Sequence, residues 1–256
     1  MYKLNNMNKL ICVYGMRRCG NHGIINWLCS HLQEKVLWLN NITHPSIFSD
    51  KFSILFNNIK TFPDPLYNLQ SSIFENIYID AKQGNLITLK KLYIKSILLS
   101  CEDIYPDQNI NYPELISSHR YSVYIIRDAF NCLASRIKYG ILSSQNEYDD
   151  FVKKIKIYYQ NYLKNKDNVY ILYNHWFVNK EYRRNIIRLF DVPFTDMNLD
   201  KRLVPNNTSV FSRNSARNEN VFDRWREYSD NKYMKQLLQD KKLTDMCCNI
   251  FDFNIK

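Results

Sequence analysis

Several features are missing from this chain of 256 residues. No stretch approaches the ~18 consecutive apolar residues that cross a bilayer, so no membrane span is expected. The early apolar run, residues 10–14 (LICVY), soon meets Arg17 and Arg18 and is too short for the apolar segment of a secretory leader. The seven cysteines are scattered, with one adjacent pair at Cys247 and Cys248 and no CxxC. That pattern disfavours both a thiolate metal site and a disulfide scaffold, and it points to a reduced, cytoplasmic setting. Internal repeats and a linker are also absent, so residues 1–256 are expected to form one domain.

What is present fits a folded, anion-seeking protein. The apolar fraction of 45% and aromatic fraction of 14% exclude a disordered chain. Lys plus Arg number 35 against 25 Asp plus Glu, a formal charge of +10. Such a balance favours nucleic acid, acidic lipid or a multiply phosphorylated small molecule. Runs at 10–14, 36–39 (VLWL), 96–100 (SILLS), 122–126 (SVYII) and 169–173 (VYILY) read as strands. Helical spacing follows at 21–33, 130–139, 147–166, from 173 to about 190, and 223–240, with Gly140 and Pro193 as stops. Residues 40–80 read as loops and short helices over a cleft, and 204–220 as a polar loop. Strand–helix alternation predicts an α/β fold: a doubly wound, mostly parallel central sheet with helices on both faces. Ligands of such sheets bind beyond the carboxyl ends of the strands.

Two stretches stand at those ends. In VYGMRRCGNHGIINWL, residues 13–28, a strand meets a glycine turn and then a helix. Backbone amides and a helix N-terminus converging on one point make an anion site, and Arg17 and Arg18 add full charges. The loop is not a Walker A: Asn21 and His22 stand where Lys-Ser/Thr would follow Gly20, which removes the usual magnesium ligand. In YIIRDAFNCLASRIK, residues 124–138, Arg127 leaves a strand and Ser135 lies eight residues on, inside the next helix. A guanidinium fork and a hydroxyl suit a second phosphate.

These two stretches together resemble the sulfotransferase family that uses 3′-phosphoadenosine 5′-phosphosulfate (PAPS) as donor. Residues 17–22 (RRCGNH) stand where that family has its Pro-Lys-Ser-Gly-Thr-Thr loop, and Arg127 with Ser135 matches its Arg-to-Ser spacing. Residues 169–194 look like its late strand and following helix, and residues 222–228 (FDRWREY) resemble its Gly-x-Trp-Lys/Arg tract. The resemblance implies a P-loop NTPase-like sulfotransferase fold. It also implies a donor site made of Arg17, Arg18, Cys19, Gly20, Asn21, His22, Arg127, Ser135, Arg213 and Arg217. Arg18 would stabilise the leaving group, with Glu102 or His119 as the base, and no metal would be needed. The acceptor would be a small-molecule or glycan hydroxyl, or an amine. The departures are Arg18 for the loop lysine, and Asn21 and His22 for both hydroxyl residues. Arg holds charge but does not give up a proton as Lys does.

Two other classes are open: a P-loop kinase or other phosphoryl transferase, which the missing Lys-Ser/Thr disfavours, and a basic protein that binds nucleic acid or nucleotide without turnover. Arginines gathered at strand exits favour a discrete pocket over a nucleic-acid surface. The tyrosines at 158, 159 and 162, Trp225 and His175 read as packing groups, His31 and His44 as non-functional, and Cys19 as the small residue of its turn.

Overall fold

All five apolar runs form strands, and their mutual pairing sets where a site can lie. The computed structural model describes residues 7–32, 36–40, 54–55, 59–60, 77–80, 86–87, 96–106, 117–165, 167–195 and 222–252. Strand β1 (Met7–Gly15) is followed by α1 (Asn21–His31) and β2 (Val36–Asn40). Short strands β3 (Ile54–Leu55), β4 (Ile59–Lys60), β5 (Ile77–Asp80) and β6 (Leu86–Ile87) precede β7 (Ser96–Glu102) and β8 (Ser117–Ile126). Then come α2 (Ala129–Lys138), α3 (Gln145–Lys164), β9 (Val169–Leu172), α4 (Tyr173–Val178) and α5 (Lys180–Arg188). A 3₁₀ helix (Arg224–Tyr228), α6 (Lys232–Gln239) and α7 (Lys241–Phe251) close the described chain.

The main sheet has the order β4-β5-β2-β7-β1-β8-β9, and β3 pairs with β6 apart from it. Every described pairing in the main sheet is parallel except β4 with β5. The fold is therefore α/β with a parallel central sheet. β1 is central and covered on both faces, which is why residues 10–14 are continuously apolar and buried rather than alternating. From β1 the chain departs through α1 toward β2, whereas from β8 it departs through α2 and α3 toward β9 on the opposite side. That divergence opens a crevice at the carboxyl end of β1.

Local chemistry fixes the elements around the crevice. Asp128 caps α2, accepting from Asn131 N at 2.8 Å, and its second carboxylate oxygen accepts from Asn174 Nδ2 at 3.0 Å. At the other end Gly140 takes φ 62°, with Gly140 N bonded to Ile137 O and Ile141 N to Arg136 O, a Schellman stop. α3 begins with a capping box between Ser144 and Glu147. Its buried tyrosines reach the carboxyl edge: Tyr158 donates to Ile104 O at 2.7 Å and Tyr159 to Arg127 O at 2.8 Å.

Asp128 is fully buried, and three donated hydrogen bonds converge on it. Asp128→Ala removes the cap and strands Asn131 and Asn174, so stability should fall by roughly 3 kcal/mol, read from urea unfolding midpoints at constant slope.

The structure revises several expectations. β8 starts at Ser117 rather than at 122, because its first residues pair with the beginning of β1. Within 40–80, the described elements are short strands, not helices. Tyr173 opens α4 instead of ending β9, residues 223–240 split into a 3₁₀ helix and α6, and α7 was not foreseen. Residues 204–220 lie outside the described residues. Tyr158 and Tyr159 are core, and Trp225 packs on Phe130 with ring centroids 5.6 Å apart. All seven cysteines are free, and among the described residues no helix is long and apolar enough to cross a membrane.

Candidate functional site

Gly15 ends β1 in register with Glu102 of β7 on one side and Ile125 of β8 on the other. The loop that follows is clamped from beneath. Asp103, itself at φ 59°, donates its amide to Gly15 O and accepts from Arg17 N at 3.0 Å. Arg136 Nη2 donates to the same carboxylate at 2.7 Å, and Arg136 Nε to Arg17 O at 3.2 Å. Arg127 Nη1 donates to Arg18 O at 3.0 Å, across 109 residues of sequence.

This clamp holds the loop in an unusual shape. Arg18 has φ 73° and Gly20 φ 92°, both left-handed. Gly20 is also pressed against Tyr173, where an added Cβ would stand 2.2 Å from the ring. α1 then starts at Gly20 with no side-chain cap and no acidic residue in its first turn. Among the described residues no side chain caps its first amides.

Cations gather at the same point. Arg18 stacks on Tyr139 with its guanidinium carbon 3.5 Å from the ring centroid, and Arg127 lies 4.7 Å over Tyr173. Among the described residues no carboxylate forms an ion pair with either. Arg17 is different, since its Nε stands 3.4 Å from Asp103 and 3.7 Å from Glu102. Arg224, on the 3₁₀ helix that Asn131 pins through Phe222 O at 2.6 Å, feels the charge of Arg127. Burial pushes both Arg18 and Arg224 below the usual guanidinium range, and Arg127 pushes Arg224 further. An arriving anion relieves both effects. The Nε atoms of Arg18 and Arg127 are buried without a hydrogen-bond partner among the described residues.

Glu102 supplies a carboxylate at the rim. Its Oε1 accepts from Asn21 Nδ2 at 3.3 Å and lies 3.7 Å from His22 Nε2. His22 packs edge-on against Trp38. A carboxylate beside an imidazole can take a proton from an attacking hydroxyl.

The sequence-derived candidates are thus partly united. Arg17, Arg18, Cys19, Gly20, Asn21, His22, Glu102 and Arg127 meet at one crevice. Ser135 is buried in α2, 5% exposed. Arg127 itself is 6% exposed and touches the loop directly, so the two clusters are joined rather than facing each other across a gap. His119 is not brought in. It pairs with Lys9, six residues before the Ile125–Gly15 level, which puts it about 20 Å from the loop at ~3.3 Å per residue. It sits exposed toward the amino edge of the sheet because β8 begins earlier than expected. Arg213 and Arg217 lie outside the described residues.

Sequence reasoning missed Asp103, Tyr139, Tyr173 and Arg224. Asp103 directly follows Glu102 at a strand exit, a signal that was available; the two tyrosines carry none, since only tertiary packing turns them to the arginines. His31 is a satisfied core group, its Nδ1 2.7 Å from Trp27 O. A scan against protein-family models finds no match for this chain, and a search of the curated proteins finds none either.

Proposed function

We propose that this chain is a sulfotransferase that moves a sulfuryl group from PAPS to a hydroxyl or amine of a small molecule or glycan, within a doubly wound, P-loop-sulfotransferase-like domain. The observation that carries the reading is the 3.0 Å bond from Arg127 to the carbonyl of Arg18. Two stretches that resemble the two donor-binding signatures of one family are in contact, at the switch point of a parallel sheet.

The residues fit a bisphosphorylated ligand: among the described residues no side chain caps the α1 N-terminus, and the buried Nε atoms of Arg18 and Arg127 have no hydrogen-bond partner. The α1 amides, Arg18 and His22 would hold its 5′ end and Arg127 its 3′ phosphate, while Ser135, buried in α2, is given no part. When bound, PAPS supplies a sulfuryl group already attached to a good leaving group. The chain supplies alignment, fixed positive charge and a proton acceptor. Arg18 acts as a permanent cation. Glu102 takes the proton of the acceptor, and its contacts with Asn21 and His22 keep it aimed at the loop. His119 is given no part, for the distance argued above.

The test is calorimetric titration with adenosine 3′,5′-bisphosphate in magnesium-free buffer, beside ATP with magnesium, followed by transfer assays from PAPS. The bisphosphate should bind without metal and at least ~10-fold more tightly than ATP, a difference of about 1.4 kcal/mol. A preference for ATP with magnesium moves the assignment to phosphoryl transfer. Steep salt dependence with neither nucleotide bound marks a nucleic-acid surface instead. In the transfer assay Glu102→Gln should lower turnover by about 10²–10⁴-fold while His119→Ala stays within about twofold. The opposite ranking removes Glu102 as the base.

A further inference from the structure

The mechanism leaves one pair of nucleophiles unused. Cys19 sits in the anion loop between Arg18 and Gly20, and its Sγ lies 3.5 Å from Sγ of Cys132 on α2. Both are buried, at 2% and 0% exposure. Cys132 also approaches Arg17 O at 3.6 Å, so the pair lies directly under the loop carbonyls.

We propose that Cys19 and Cys132 are a redox modification site: a peroxide converts them to a disulfide that ties the anion loop to α2 and weakens anion binding. The sulfurs must close by about 1.5 Å to reach the ~2.05 Å of the bond. The reaction balances with hydrogen peroxide as the two-electron oxidant. The Cys132 thiolate attacks one peroxide oxygen and the O–O bond breaks; a sulfenic acid forms, and the departing hydroxide takes the proton that Cys132 shed and leaves as water. The Cys19 sulfur then attacks the sulfenic sulfur and displaces hydroxide, which leaves as the second water. Cys132 is suited to go first. The hydrogen bond from Cys19, above all, and the charges of Arg136 and Arg127 outweigh burial and hold its thiol below the usual range. That same bond and burial hold Cys19 well above it, so it is not the thiol that ionises first.

The consequence follows from the loop's shape. Cys19 lies between two left-handed residues, Arg18 at 73° and Gly20 at 92°, and its amide bonds Met16 O at 3.1 Å. Pulling its sulfur toward α2 disturbs the turn whose carbonyls Arg127 and Arg136 hold. This effect on binding rests on the anion-site reading above, whereas the bond itself does not.

The experiment treats the full chain with hydrogen peroxide and maps it by non-reducing peptide mass spectrometry, with half-exposed Cys248 as the internal monitor of oxidation. A Cys19–Cys132 linked peptide, 2 Da lighter than the two reduced peptides together and absent from both Cys19→Ser and Cys132→Ser, is expected. Free thiols at these two positions when Cys248 is oxidised overturn the proposal. Binding of adenosine 3′,5′-bisphosphate should fall at least ~10-fold on oxidation, with recovery in dithiothreitol, and each serine variant, compared with itself before and after peroxide, should not respond. A disulfide that forms without changing binding overturns the switch and leaves the modification. If the reduced protein binds no bisphosphate, the donor reading fails while the mass result still decides the bond.

Discussion

Arg127→Ala should lose at least ~100-fold in affinity for adenosine 3′,5′-bisphosphate, close to 3 kcal/mol, when titrated beside the unchanged protein. Two losses combine. The guanidinium is 6% exposed and unpaired by any described carboxylate, so a phosphate reaching it forms a charge-assisted contact in a poorly hydrated place. Its removal also releases Arg18 O from a 3.0 Å bond and frees the left-handed turn at Arg18. Arg127→Lys separates the two. It keeps the charge but lacks the planar fork, and it should recover no more than about tenfold. A melting-temperature comparison guards against simple unfolding. Full affinity in Arg127→Ala, with the fold intact, would remove Arg127 from the binding site and with it the meeting of the two signatures on one ligand.

Gly20→Ala should be the most damaging added methyl among the described glycines. At φ 92° an L side chain costs about 1–2 kcal/mol from backbone sterics alone. The added carbon would also stand 2.2 Å from the ring of Tyr173, nearer than atoms approach, so the ring must move away. That ring lies 4.7 Å beneath Arg127, so displacing it disturbs the proposed anion site as well. Stability should drop by roughly 2–5 kcal/mol in denaturant titrations. Tyr173→Ala made together with Gly20→Ala tests the cause. The double variant should be more stable than the sum of the single losses, by a coupling of about 1–3 kcal/mol, because the collision is gone while the backbone cost remains. Strict additivity would show that Tyr173 is not what the methyl meets.

The strands were legible because buried parallel strands carry continuous apolar runs, and 10–14, 96–100 and 122–126 have no competing reading. α2 was bounded within one residue by the polar stretch after Arg127 and by Gly140. Register was not legible. The early residues of β8 (SSHRY) are polar, yet they pair with β1 from Met7 onward, and this moved His119 to the far edge. The strand–turn–helix form of the loop was readable from its two glycines. Its clamp was not: Asp103 and Arg136 reach Arg17 across 86 and 119 residues, and nothing local encodes such contacts. Tyr173 escaped notice for a similar reason, since an apolar run continues through it until the chain turns into α4.

The neighbouring hydroxyls of Tyr158 and Tyr159 grip the backbone just past the ends of β7 and β8. Consecutive residues on one rigid rod thereby set the gap between the acidic rim and the buried arginine. Neither bank of the crevice can drift alone: any twist of α3 shifts both, so the width available to a guest is governed from the helix behind the sheet rather than from the loops around its mouth.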